Sequence, residues 1–284
     1  MNGVRVVAAY AIQESVRRRV FTVVLILTVV FLALYAWGAS LAFDEVTTFS
    51  GEGDPVDAEV LTGSTIFGLA MFSTLFLGAV LAVFLTLSAV RGDAERGLLQ
   101  PLVVRPVGRT QMLAGRFAAA AGVCAAYVGA VYLTAMLITG AVGGWWPDRV
   151  LAPGLALASA VVVIAAIALL GSVFLSATAN GIGVFMVFGA GLAAGLLGQI
   201  GEALSSNRLE DIAEVAAWLL PFEALYQSGL DGLTADARGF TDVAVALGPF
   251  GGADEGGPLL WVWVAVYVGL IGLAARAGFA RRDL

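Results

Sequence analysis

The sequence has no histidine and no lysine, and one cysteine among its 284 residues. Each absence closes off a class of chemistry. Without histidine there is no Ser-His-Asp relay, no HExxH zinc site and no haem histidine, and one cysteine cannot supply a thiolate cluster instead. Neither a catalytic centre nor a metal site is expected. A disulfide within the chain is impossible; Cys124 lies in an apolar run and reads as a small core hydrophobe. Without lysine there is no Walker A side chain to reach a nucleotide's phosphates, so ATP-driven work would need a second chain to bind the nucleotide. Charge is scarce as well: 13% of residues are charged and 60% hydrophobic, the balance of an integral membrane protein.

A hydrocarbon core of roughly 30 Å is crossed by about 20 apolar residues in a helix, which satisfies every backbone polar group within the segment. Six stretches meet that length: 20–43, 64–90, 117–142, 151–175, 181–201 and 258–279. The expected fold is therefore an all-α membrane protein, one domain over 1–284 with six transmembrane helices. Residues 151–201 as one helix would run about 75 Å, so a turn is expected at "SATAN", 176–180. Ahead of the first span, Val4, Val7, Ala8, Ala11, Ile12 and Val16 share a helical face, with Arg5, Gln13 and Arg17 elsewhere. That pattern suits a helix lying in the membrane interface. A cleaved signal peptide is the competing reading, but an apolar run over 20–43 exceeds an h-region and no A-x-A site follows it.

The arginines set the expected orientation. Twelve of fifteen fall at the two chain ends and in the loop between spans 2 and 3, with four acids; the other loops hold three arginines and seventeen acids. Both termini and the 91–116 loop are thus expected on the cytoplasmic side, and the acidic segments 44–63 and 202–257 outside. Outside the cell such loops make a strongly negative surface.

Within the basic loop, Leu98, Leu99, Leu102 and Val103 recur at i, i+1, i+4 and i+5, so a short helix would carry an apolar face beyond the bilayer. Topogenesis explains the arginines of this loop but not that face, which calls for a protein partner or the interface. The stretch "ERGLLQPLVVRPVGRTQMLAGRF" resembles the loop between the second and third spans of ABC transporter type-2 permeases. Glu95, Gly97, Leu99, Leu102, Pro106, Val107, Arg109 and Gly115 stand at the positions of that family's pattern. Leu98, Gly108 and Arg116 replace its usual threonine, serine and lysine. Pro101 is a further departure, since an interior helical proline costs about 3 kcal/mol outside the first turn; the short helix is expected to start at Gln100 or to kink.

The resemblance continues through the interfacial helix, the six spans, the long outer segment and the ending "FARRDL". It implies that 91–116 is a coupling element docked on a separate P-loop ATP-binding subunit, which holds ATP and Mg while this chain binds no cofactor. Glu95, Gly97, Leu98, Leu99, Leu102, Arg105, Pro106 and Arg109 would form the docking face, the leucines packing on the partner and the arginines pairing with its acids. A second copy of this permease, or a similar one, would complete an ATP-driven exporter in the lipid bilayer of the cell membrane; no nucleic acid partner is expected. The outer segment with "PFEALYQ" is similar to the branch serving maturation of the copper enzyme nitrous-oxide reductase. The alternative is a membrane scaffold or assembly subunit whose loop docks a cytoplasmic partner without transport.

Two further features bear on a substrate path. Residues 208–230 carry Ile212, Val215, Ala216, Leu219 and Leu220 at helical spacing before Pro221, too short a run to span, and read as a broken amphipathic hairpin at the outer face. Glu223 beside that proline is the one carboxylate placed among apolar residues at membrane depth, where ionisable groups are functional by default; the many other charges of its loop favour a simply wetted side chain. In the resembling family spans 2 and 5 line the pathway, which would make Ser73, Thr74, Thr86 and Gln199 its polar candidates. Gly191 and Gly195 form a GxxxG in span 5 that fits intramolecular packing, a dimer seam or the path equally. No charged side chain lies clearly within a span, which disfavours a proton relay.

Overall fold

A computed structural model describes residues 3–17, 19–49, 58–87, 108–233 and 257–281, and every regular element among them is a helix. The elements are α1 (Gly3–Arg17), α2 (Arg19–Phe49), α3 (Ala58–Thr86), α4 (Arg109–Gly143), α5 (Leu151–Phe174), α6 (Ala177–Leu204), α7 (Asn207–Leu219), α8 (Pro221–Asp231) and α9 (Pro258–Ala280). Six of them, α2 to α6 and α9, are long and apolar enough to cross a membrane.

Several helices overshoot the apolar runs that announce them. Helix α3 begins six residues before the expected 64, α2 continues to Phe49, and α4 opens at Arg109 rather than 117. Hydropathy marks what the hydrocarbon requires; the helix goes on where polar side chains can reach water without breaking the backbone ladder. In α4 the extra turns pack, since Met112 and Leu113 are buried with Leu169 and Val173 of α5 and Ala275 and Phe279 of α9. The expected loop 91–116 is shortened accordingly, its last eight residues being helical.

The turn between α5 and α6 falls at Leu175 and Ser176, at the leading edge of the expected 176–180, and Ala177–Asn180 already form the first turn of α6. Leu175 is extended, with its N–H on Gly171 O at 2.8 Å. Asn180, fully buried, reaches back to donate its side-chain amide to Ala168 O at 2.9 Å. Gly171 is where it passes: a Cβ there would overlap Asn180 Oδ1.

The interior is α3 and α5, which are mostly buried, whereas α2 and α9 are largely exposed along their length. Gly78 lets α3 close on its neighbours, because a Cβ there would lie 2.8 Å from Val161 of α5 and 2.9 Å from Val128 of α4. Helix α2 joins through two hydroxyl pairs. The Thr28 hydroxyl proton goes to Val24 O and that of Thr139 to Ala135 O. A hydroxyl has one proton, so Tyr127 donates to Thr28 and Tyr35 to Thr139, each at 2.5 Å.

The bundle has two different ends. One gathers the start of α4, the ends of α5 and α9, and α1, which lies on α4. Gly115 makes that seat, since its Cβ would stand 2.8 Å from Val7 Cβ and 3.0 Å from Val4 O. Val4, Val7, Ala8 and Ala11 are half-buried as the periodicity predicts, while Ile12 is exposed and the Val16 side chain lies outside the described residues. The other end holds the α4–α5 connection, where Trp145 packs on Gly63 and Phe67 and Trp146 on Gly140. All six tryptophans, residues 37, 145, 146, 218, 261 and 263, belong to this acidic half.

Gly78→Leu is expected to destabilise the protein by about 1–3 kcal/mol through overpacking, seen as a lower thermal midpoint in detergent. Gly269→Leu, at a site with nothing within 4 Å, serves as the control. Equal midpoints for the two variants would contradict the α3–α4–α5 packing.

Candidate functional site

Pro221 divides the segment after α6 into two helices. A proline has no N–H to continue α7 and biases its predecessor away from helical angles; Leu220 sits at φ −128°, ψ 66°, and Pro221 opens α8 at its first position. The break leaves carbonyls at the end of α7 without helical partners. Helix α9 supplies them: Trp263 Nε1 donates to Trp218 O at 3.0 Å, and the Tyr267 hydroxyl to Leu219 O at 2.8 Å.

The two helices are placed very differently. No residue of α7 is buried, and Ile212, Val215, Trp218 and Leu219 are exposed. Helix α8 buries Phe222, Glu223, Leu225, Tyr226 and Leu230. It sits on the bare backbone of α6: a Cβ at Gly191 would run into the Phe222 ring, and one at Gly195 into Glu223 Oε1. The GxxxG of span 5 is therefore an intramolecular seat for this helix. Phe222 stacks on Phe188 at 5.8 Å and 16°, and Tyr226 meets Phe72 of α3 edge-on at 6.4 Å. Gly229 admits Met71 of α3 and Pro153 of α5. Beyond α8 the chain is pinned by backbone bonds, Arg149 N–H to Gly232 O and Asp148 N–H to Leu233 O, both 3.2 Å.

Glu223 is 6% exposed and accepts from Gln227 Nε2 at 2.8 Å. The Tyr226 hydroxyl is held above its ordinary value, first by burial and then by the charge of Glu223, so it keeps its proton. Gln227 Oε1 and the Tyr226 hydroxyl have no hydrogen-bond partner. The charges of the Glu223 loop favour a wetted side chain, and the structure instead buries Glu223 because Pro221 starts a helix that turns inward onto α6; i, i+3 and i+4 spacing places Tyr226 and Gln227 on the same face.

The other candidates are dispersed. Ser73, Thr74 and Thr86 each donate to a carbonyl of their own helix, at Leu69, Ala70 and Ala82. Thr74 and Thr86 are buried; Ser73 and Gln199 are half-buried. Twelve residues of helix, about 18 Å, separate Thr74 from Thr86, so these hydroxyls do not form one cluster. Of the docking residues, Arg109 is the first residue of α4, whereas Glu95, Gly97, Leu98, Leu99, Leu102, Arg105 and Pro106 lie outside the described residues.

The profile described as ABC-2 family transporter protein matches residues 5–284, which takes in α1, all six candidate spans, the α7–α8 hairpin and the basic loop. The chain belongs to the ABC-2 transporter family. The match is to the family at large, and no curated protein matches the chain. Membership makes this ABC-2 protein a multi-pass membrane permease component of an ABC transporter, a transport subunit of a kind that typically has no catalytic site of its own and whose complexes include an ATP-binding subunit.

Gly195→Val in this ABC-2 permease is expected to unseat α8. With Cys124 fully buried, a cysteine introduced at the buried Leu225 reports the change: protected from maleimide alone, labelled when Gly195→Val is added. Continued protection would contradict the seat.

Proposed function

We propose that this chain is the permease subunit of an ATP-driven exporter, with the arginine-rich end cytoplasmic and the α7–α8 hairpin at the outer face. The observation that carries the reading is the family match across residues 5–284, joined to the place of the basic loop between α3 and α4. Both helices belong to the tightly packed part of the bundle, which is suited to moving as a body when the loop is pushed. A separate P-loop subunit binds ATP and Mg and docks on the loop. The Leu98, Leu99 and Leu102 face packs against it, flanked by Glu95, Gly97 and Pro106, and Arg105 and Arg109 pair with its acids. Apolar burial sets the affinity of such a surface, and charges set its register and encounter rate. A second permease copy, or a similar chain, brings a second loop to the second ATPase.

Orientation rests on charge. The chain ends and the 88–107 segment carry most of the arginines, and the acids cluster with the tryptophans at the opposite end, in the sense of the positive-inside rule. The hairpin is then the outer cover of the bundle, resting on α3, α5 and α6. Uncharged span surfaces suit a hydrophobic or amphipathic cargo.

Replacing Leu99 and Leu102 by aspartate is expected to abolish co-purification of the ATP-binding subunit while the protein still inserts in the membrane at wild-type level. Normal ATPase recovery on the doubly substituted loop would contradict the docking assignment.

A further inference from the structure

Helix α7 shows three sides. Leu209 and Ala213 are half-buried on α6, where the backbones close at glycine: a Cβ at Gly201 would stand 3.1 Å from Leu209 Cβ, and one at Gly198 3.2 Å from Ala213 Cβ. The order of these contacts makes the two helices antiparallel, so α7 runs back toward the bundle from the acidic end of α6. A second side carries Glu210, Asp211 and Glu214. The third, Ile212, Val215 and Leu219 at i, i+3 and i+7, is apolar, and each of its side chains is more than half exposed.

Charge is confined to the first part of this helix. Arg208, Glu210, Asp211 and Glu214 all precede Val215, and from Val215 to Phe222 the chain has no charged residue. The carbonyls freed by the Pro221 break lie in the uncharged part, and side chains bond them although the site is on the surface: Trp263 donates to Trp218 O and Tyr267 to Leu219 O. In water solvent satisfies such carbonyls; in hydrocarbon each needs a donor from the protein. The two donors stand five and nine residues into α9, roughly 8 and 14 Å along its axis, within a helix apolar enough to cross a membrane over its whole length. Helices α6 and α9, which hold α7, are themselves among the spans least covered by the bundle, and they expose Leu196, Ile200, Val262 and Val266.

We propose that the C-terminal half of α7 is immersed in the bilayer, with acyl chains of the outer leaflet covering Val215, Trp218 and Leu219 while the charged half rises into water. The hairpin is then a lipid-contacting element and not only a cover over the bundle, and α9 supplies the hydrogen bonds that water cannot deliver at that depth. The inference rests on the exporter reading only in naming the leaflet. Depth is measured on the permease alone and without regard to orientation, so its failure overturns the inference and leaves the exporter reading standing, and loss of the exporter reading leaves the depth result intact.

The test places a nitroxide spin label on Asp211→Cys, Val215→Cys or Leu219→Cys of the full chain in phosphatidylcholine vesicles. All three sites are exposed and Cys124 is fully buried, so the label displaces no packing and goes to the new cysteine. Collisions with oxygen, which concentrates in hydrocarbon, are compared with collisions with a neutral, water-soluble nickel chelate present on both sides of the membrane. The oxygen-to-chelate ratio is expected to rise from Asp211 through Val215 to Leu219. Chelate access at Leu219 equal to that at Asp211 would put the whole of α7 in water. Exclusion of both reagents at Val215 and Leu219 would mean that protein, such as a second copy of the chain, covers the face. Either result overturns the proposal.

Discussion

The contact on which the acidic end of this molecule depends is the seating of Phe222 and Glu223 on the bare backbone of α6 at Gly191 and Gly195. Any side chain at either glycine would occupy space that α8 now fills. From that seat α8 reaches α3 through Tyr226 and Phe72, and α5 through Gly229 and Pro153. It thereby ties α3, α5 and α6 together at this end of the bundle. The proline that frees α8 to dip inward also strips partners from the end of α7, and α9 replaces them with Trp263 and Tyr267. Close approach at glycine and repayment of backbone polar groups are the two requirements that a low-dielectric surround makes strict.

The same logic recurs at the arginine-rich end with a different outcome. Gly115 lets α1 lie on α4, and the extra helical turns of α4 pack Met112 and Leu113 against α5 and α9. The helix that emerges from the basic loop is therefore engaged from its first turns by three neighbours. Under the proposed function this is how a push on the loop would enter the bundle, as a displacement of packed helices rather than the bending of one. Interiors packed at this density move between discrete arrangements, and α8 on its glycine seat is the element at the far end with such an arrangement to lose.

Much of this was legible in the sequence because lipid makes hydropathy a strong signal. The six spans, the break at the leading edge of 176–180, the helix ahead of the first span and the two-part hairpin at Pro221 all follow from run length, periodicity and proline. Helix ends were less legible: α2, α3 and α4 continue past their apolar runs because a helix does not stop where hydrocarbon stops. The role of Gly191 and Gly195 stayed open, since GxxxG states that a backbone is bare and not what lies against it. Tyr226 and Gln227 were passed over because an aromatic and an amide in an amphipathic helix look ordinary until their partners are counted. Asn180, buried on Gly171, is the same case: its partner, the Ala168 carbonyl, is invisible to composition.

The measurement closest to the central claim is affinity purification of the tagged protein from its native membrane in mild detergent, with mass spectrometry of what stays bound. The account predicts a P-loop ATPase recovered at about one copy per copy of this chain. Its reproducible absence, with the six-span protein intact, would contradict the exporter reading and leave a membrane scaffold whose basic loop holds some other partner.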